Sequence, residues 1–318
     1  MEPIHIYAKQ QSSRLTYIAD YFFTTLLPFE KIIFYTHIDS FQAAQGIKLN
    51  YSNQNISDVL QIIPHTILFE DAIAPQSFKV EKWNGMKAFF KTGNDSLPFD
   101  LLAASFYLIT RYEEYLPFEA DAHQRFPANQ SLAYRENFLH LPLIQYYANI
   151  LYSNLAAKHN LPPTPDKTVI NSPGIDVDNA YAYLHKGATR TLGGIGKDML
   201  KFDFANLAHR IRSLLTNKDP YDTYEFILRS CKEQSVTPTF FLMTANQGTY
   251  DRNLPHTNAT YIKLIQQLSL QATTGLHPGY TSDELQILKT ETARLEEITG
   301  ASIVNSRQHF ENKISINL

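Results

Sequence analysis

The stretch Lys167-Thr-Val-Ile-Asn-Ser-Pro-Gly-Ile-Asp-Val-Asp-Asn179 decides how this chain is read, because it is a short apolar run that ends on two carboxylates one residue apart. Side chains on a strand alternate with period two, so a run that stays extended through Val177 places Asp176 and Asp178 on the same side. Two acids sharing one small volume cannot both ionise without cost unless a cation lies between them, or one of them keeps its proton. The pair therefore reads either as part of a metal or acid/base site, or as a solvated Asp-Val-Asp turn with Asn179 as a cap.

Outward toward the C-terminus, Val236–Met243 is an apolar run without alternation, the pattern of a parallel strand covered on both faces. Shorter strands are predicted at Thr273–Leu276 and Ile303–Ser306, and helices at 203–215, 221–234, 261–270 and 282–298, the second capped by Asp219-Pro-Tyr-Asp222. Strands alternating with helices of this length signal right-handed βαβ units and a parallel sheet or barrel. Chemistry in such folds gathers where strands end. Asp176, Asp178, His277, Arg307 and His309 all fall at predicted strand ends, and Gly275 permits close approach of the backbone just before His277. A neutral imidazole with carboxylate suits zinc or another divalent ion that keeps open positions for water. Gly187, Gly193, Gly194 and Gly196 match no nucleotide fingerprint and read as an active-site loop or a surface crossing.

Toward the N-terminus, residues 3–7 alternate like an edge strand, and 14–27 carries apolar residues at helical spacing. Short strands are predicted at 34–38, 47–51 and 63–69, the last with an irregular start at Pro64. In Leu97-Pro-Phe-Asp-Leu-Leu-Ala-Ala-Ser-Phe-Tyr-Leu-Ile-Thr-Arg-Tyr-Glu-Glu-Tyr115, Asp100 caps a helix apolar on nearly all sides, and a buried Arg111 held by Glu113 and Glu114 is expected to fix its end. His123 and Arg125 are read as satisfied polar groups. A helix over 141–158 and the proline-rich connector 160–166 follow. The fold class is thus α/β, with a mixed α/β domain over 1–162 and a second domain over 166–318.

Hydrophobic residues at 44% and charged residues at 19% describe a globular chain with material for a core. The net charge of -3 and a pI near 6.4 argue against a nucleic-acid or anionic-membrane partner, since both need a basic face. A single cysteine, Cys231, excludes an internal disulfide framework and fits a reducing compartment. Met1-Glu-Pro-Ile-His-Ile-Tyr lacks the pattern of a signal peptide, and no run approaches the roughly 18 apolar residues of a membrane span, so the expected location is cytoplasmic. The oligomeric state is not legible.

Gly174-Ile-Asp-Val-Asp-Asn179 resembles the first motif of the polysaccharide deacetylases, the NodB-like group of carbohydrate esterase family 4. Thr237-Pro-Thr-Phe-Phe-Leu-Met-Thr244 is similar to that family's second strand and Gly275-Leu-His-Pro-Gly-Tyr-Thr-Ser282 to its metal-histidine motif, in the same order. The resemblance implies a metal-dependent de-N-acetylase, a hydrolase acting on acetamido groups of a polysaccharide or its precursor. Asp178 and His277 would ligate a divalent metal, zinc first, with Asp176 as the general base and Arg307 holding Asp176 ionised and oriented. The family has adjacent aspartates where Val177 intervenes here, and Thr281 stands at the place of its second histidine, so Ser282, His309 or water would complete the shell. His309 is the expected third ligand.

The family's later motifs, an arginine-bearing strand end and a general-acid histidine, have no counterpart. At about 30 to 40 residues per βα unit the second domain holds about four strands, whereas a closed barrel needs about 200 residues or more. The expectation is an incomplete, deformed NodB-type (β/α) barrel, C-terminally truncated. The first half resembles the poorly characterised domain that precedes deacetylase-like domains in some bacterial proteins, with Arg111-Tyr-Glu-Glu-Tyr115 as its most specific string. A non-catalytic carbohydrate-binding or assembly protein on the same scaffold is the rival reading. A two-carboxylate glycosidase would need acids about 5 to 9.5 Å apart on opposite faces of a sugar.

Overall fold

Ile4, Ile6 and Ala8 are apolar at alternate positions, and the run they begin, β1 (Ile4–Tyr7), is central rather than at an edge. It pairs in parallel with β2 (Ile32–Tyr35) on one side and β3 (Ile47–Tyr51) on the other, and β3 pairs with β4 (Leu60–Ile62), giving a four-stranded sheet in the order β2-β1-β3-β4. The expected edge position fails because β2 and β3 pair with β1 on both of its sides, and both of its faces are covered as well. Ile4 and Ile6 enter the main core with Leu15 and Ile18 of α1 (Ser13–Asp20), while Tyr7 packs on the opposite side with Phe41 of α2 (Ile38–Ala43) and Ile56. The computed structural model describes residues 2–93, 97–163, 170–282 and 284–308, which divide into the units Met1–Lys167 and Thr168–Leu318.

In the first unit, α1 starts at Ser12, whose Oγ accepts from Leu15 N at 3.0 Å, and it continues into π-helical turns over Tyr21–Leu26. The strand predicted over 63–69 is absent. Pro64 offers no N–H for a ladder, and His65 N instead donates to the Asp100 carboxylate at 2.7 Å, so β4 ends at Ile62 and a 3-10 turn covers Thr66–Phe69. An antiparallel hairpin, β5 (Glu81–Trp83) and β6 (Met86–Ala88), turns at Asn84-Gly85, both with positive φ, the conformation that favours Asn-Gly.

Asp100 caps α3 (Leu101–Ile109) as expected, its Oδ1 accepting from Leu102 N and Ala103 N while Tyr51 donates to Oδ2 at 2.7 Å. Burial pushes Asp100 up to about 6 against the pull of these donors. The expected buried arginine is corrected: Arg111 takes the left-handed conformation that ends α3, keeps its side chain exposed and pairs with Glu114. Glu113 instead accepts from Leu132 N at the start of α4 (Leu132–Arg135) and pairs with Arg135 at 3.3 Å. Asp121 accepts from His123 N and from Arg125 N and Nε. The long α5 (Leu143–His159) closes the core with Tyr147, Leu151 and Leu155.

The second unit carries three parallel strands in sequence order, β7 (Gly174–Val177), β8 (Thr239–Leu242) and β9 (Thr273–Leu276), with a further parallel bridge from Leu276 to Ser306. The glycine-bearing segment is the helix α6 (Gly187–Leu200), not a loop, and is followed by α7 (Phe204–Thr216) and α8 (Tyr224–Glu233). Asp219 does not cap α8; it accepts from the backbone N–H groups of Ala182, Tyr183 and Leu184. Helix α9 (Ala259–Ser269) crosses to β9, and α10 (Leu285–Thr299) leads to Ser306. Among the described residues the sheet is open and no closed barrel is present, and no helix is long and apolar enough to cross a membrane.

Candidate functional site

The registers of the second sheet set the site. Val177, Leu242 and Leu276 lie opposite one another across β7, β8 and β9, so Asp178 and His277 are each the first residue past aligned strand ends. Their side chains meet over the end of β8, with Asp178 Oδ1 at 2.9 Å from His277 Nε2. The imidazole is buried whereas Asp178 is 57% exposed, so the contact opens to solvent from the acid's side.

His277 is held by more than its acid. Its backbone N donates to Leu242 O at 2.9 Å, and its Nδ1 lies 2.6 Å from Arg307 O. A carbonyl oxygen only accepts, so Nδ1 carries a proton and Nε2 faces Asp178. Burial alone would lower the imidazole's pKa, but the hydrogen bonds to Asp178 and to the Arg307 carbonyl, with the charges of Asp178 and Asp176, outweigh it and raise it above the ordinary value.

Arg307 joins the second acid to the same corner. Its N donates to Leu276 O, and its Nη1 donates to Gly174 O at 3.2 Å and to Asp176 Oδ1 at 3.1 Å. The guanidinium carbon lies 4.4 Å from the centre of the Phe241 ring, within cation–π distance. Gly174 makes this possible, because a Cβ there would collide with the guanidinium. Gly275 works likewise, since its Cβ would come 2.8 Å from the Phe241 ring and 3.0 Å from Asn305 O.

The structure thus brings Asp178 to His277 and Asp176 to Arg307, while His309 lies outside the described residues. Ser282 is not at the site: its Oγ donates to Glu291 Oε1 at 2.7 Å. Glu291, buried on α10, also accepts from Gly279 N, and Asp251 accepts from Tyr280 N. These two acids clamp the loop that follows His277, and burial raises the Glu291 carboxyl. Neither was marked by the sequence, because Glu291 stands 9 to 12 residues beyond its loop partners and Asp251 29 residues before Tyr280, with no local pattern tying either to the loop. Beside Asp178, the buried Oδ1 of Asn179 accepts no hydrogen bond among the described residues, so Asn179 is not the cap of the alternative, solvated-turn reading. The rings of Tyr250 and Tyr280 pack with centres 4.3 Å apart on the neighbouring loops.

A divalent ion fits this arrangement in part. Ligating histidines characteristically donate their second ring N–H to a carbonyl or carboxylate, as Nδ1 of His277 does to Arg307 O. First-shell bonds of about 2.0 to 2.2 Å place two donors of one ion about 3 Å apart, close to the 2.9 Å observed. Among the described residues no group of three or more His, Cys, Asp or Glu converges, so Asp178 and His277 supply two donors only.

Residues 4–160 match the model of a family of unknown function (DUF7033). No curated protein and no solved structure matches the chain.

Proposed function

We propose that the second unit is a metal-dependent carbohydrate de-N-acetylase built on a NodB-type scaffold, acting in the cytoplasm on acetamido groups of a polysaccharide or its precursor. The observation that carries this reading is the meeting of Asp178 and His277 over the end of β8. Asp178 and His277 would hold the ion, zinc by the chemistry of the donors. Such an ion would supply a water acidic enough to attack at neutral pH and a Lewis acid for the acetamide carbonyl.

The remaining roles belong to the chain's own groups. The pairing of Arg307 with Asp176 at 3.1 Å fixes the direction of that carboxylate, which suits a general base. The Arg307 carbonyl holds the imidazole in the tautomer that aims Nε2 at Asp178. Glu291 and Asp251 keep the 279–282 loop in one conformation, so His277 is anchored on both sides. The paired rings of Tyr250 and Tyr280 offer flat apolar surface of the kind that packs against a sugar face.

The test is metal analysis and acetate release on the whole chain with an N-acetylglucosamine oligomer. Bound zinc at one equivalent, lost in Asp178→Asn, with acetate release that a chelator abolishes, is the expected result. The presence of only two donors among the described residues favours the second reading, a non-catalytic carbohydrate-binding protein. Sugar binding that persists in Asp178→Asn and in chelator, without acetate release, would establish that reading instead.

A further inference from the structure

Helices α6 and α7 form a hairpin that is apolar on the wrong side. Between them lie polar groups: Asp198, buried, pairs with Arg210 at 2.9 Å and accepts from Asn206 at 2.8 Å, and Ser213 is buried as well. The large apolar side chains point outward. Leu200 is 83% exposed, Phe202 78% and Leu215 82%, and Met199, Phe204 and Ile211 are exposed with them. Phe204, Ala208, Ile211 and Leu215 recur at the helical spacing that defines one face of α7. In a hairpin stabilised by a water-avoiding interior the order would be reversed, and apolar faces of this extent mark surfaces that meet something else.

Charge identifies what that is. The chain as a whole is acidic, with a net charge of -3, but the hairpin is locally basic. Lys197, Lys201, Arg212 and Lys218 are exposed and none forms an ion pair among the described residues, against Asp203, which caps α7. Lys201 stands between Leu200 and Phe202 at the tip. Lysine is depleted where proteins bury apolar surface against one another, whereas at a bilayer its stem lies along the acyl boundary and its ammonium reaches the headgroups. We propose that the α6–α7 hairpin is an interfacial anchor that seats its Leu200-Lys201-Phe202 tip and the apolar face of α7 in an anionic lipid surface, without crossing it. The buried Asp198–Arg210 pair keeps the two helices in register, so the apolar groups are presented together.

Flotation of the full chain with vesicles tests this. The protein floats with equimolar phosphatidylglycerol and phosphatidylcholine but not with phosphatidylcholine alone, and added salt weakens the binding. Leu200→Ser with Phe202→Ser, and separately Lys197→Glu with Lys201→Glu, reduce bound protein by about tenfold or more. All four positions are exposed, so far-UV circular dichroism and thermal unfolding stay as in the parent; if a variant loses its fold, the lipid and salt dependence of the parent decides alone. No flotation with the anionic vesicles, or equal flotation of parent and folded variants, overturns the proposal. So does a dimer in light scattering that the serine variant dissociates while vesicles bind neither protein, since the face would then belong to a second copy.

Discussion

On the proposed function, a proton and a metal ion would compete for the same nitrogen of His277, with pH dependences of opposite sign. The imidazole's pKa is raised in the folded state, with the pull of Asp178, Asp176 and the Arg307 carbonyl outweighing burial. A raised histidine contributes stability that is fully present below its unfolded value, about 6.5, and is lost as pH rises through the higher folded value. Metal binding needs the neutral ring and strengthens over the same rise. In chelator, urea midpoints of the second unit should therefore fall as pH rises from about 6, and Asp178→Asn should flatten the curve. With zinc added the trend should reverse. A metal-free curve with no slope, or one that slopes upward, would remove the ion pair as a contributor. Gly174→Ala tests the neighbouring pair: the added methyl must displace the Arg307 guanidinium, so on the proposed function both it and Arg307→Ala should lower acetate release and leave zinc stoichiometry unchanged.

Elements whose ends are fixed by nearby side chains were the ones the sequence could reveal. Asp100 shows why: three backbone donors and the Tyr51 hydroxyl converge on it. Loss of a cap costs about 1 kcal/mol, and each buried donor left unpaired costs about 1 to 3 kcal/mol. Asp100→Ala should then destabilise the first unit by about 3 kcal/mol or more in urea, while Leu139→Ala, at an exposed position, should change little. The cap was legible because its signal is local. The strand expected over 63–69 was not, since what ends β4 is His65 N bonding to a carboxylate far along the chain. The same holds for β1, whose alternation suited an edge until two neighbours and two helical layers covered it. At the site, Asp176, Asp178, His277 and Arg307 could be read from strand ends, but the Glu291 clamp could not, because no local pattern shows that α10 folds back to lay Glu291 against the loop just before it.

At the scale of the whole chain, the two units are unequal in what they bury. The core of the first is a large cluster running from Ile4 to Leu155, with a small second cluster of Tyr7, Phe41 and Ile56 on the other side of its sheet, whereas that of the second, from Val177 to Leu295, is smaller than the large one and leaves the α6–α7 apolar face outside. Stability scales with the surface removed from water, so the second unit should unfold at lower urea. The chain provides its own reporter, since its single tryptophan, Trp83, lies in the first unit with its ring 5.6 Å from that of Phe99. Helices occur in both units, so circular dichroism reports both. Helical signal should therefore begin to fall before Trp83 fluorescence shifts, with two midpoints where a single cooperative unit would give one. On the proposed function, zinc should move only the earlier transition, because a ligand stabilises the state that binds it and Asp178 and His277 lie in the second unit. Coincident curves, or a zinc shift in Trp83 fluorescence, would mean that the units unfold together and that the site's stability is not its own.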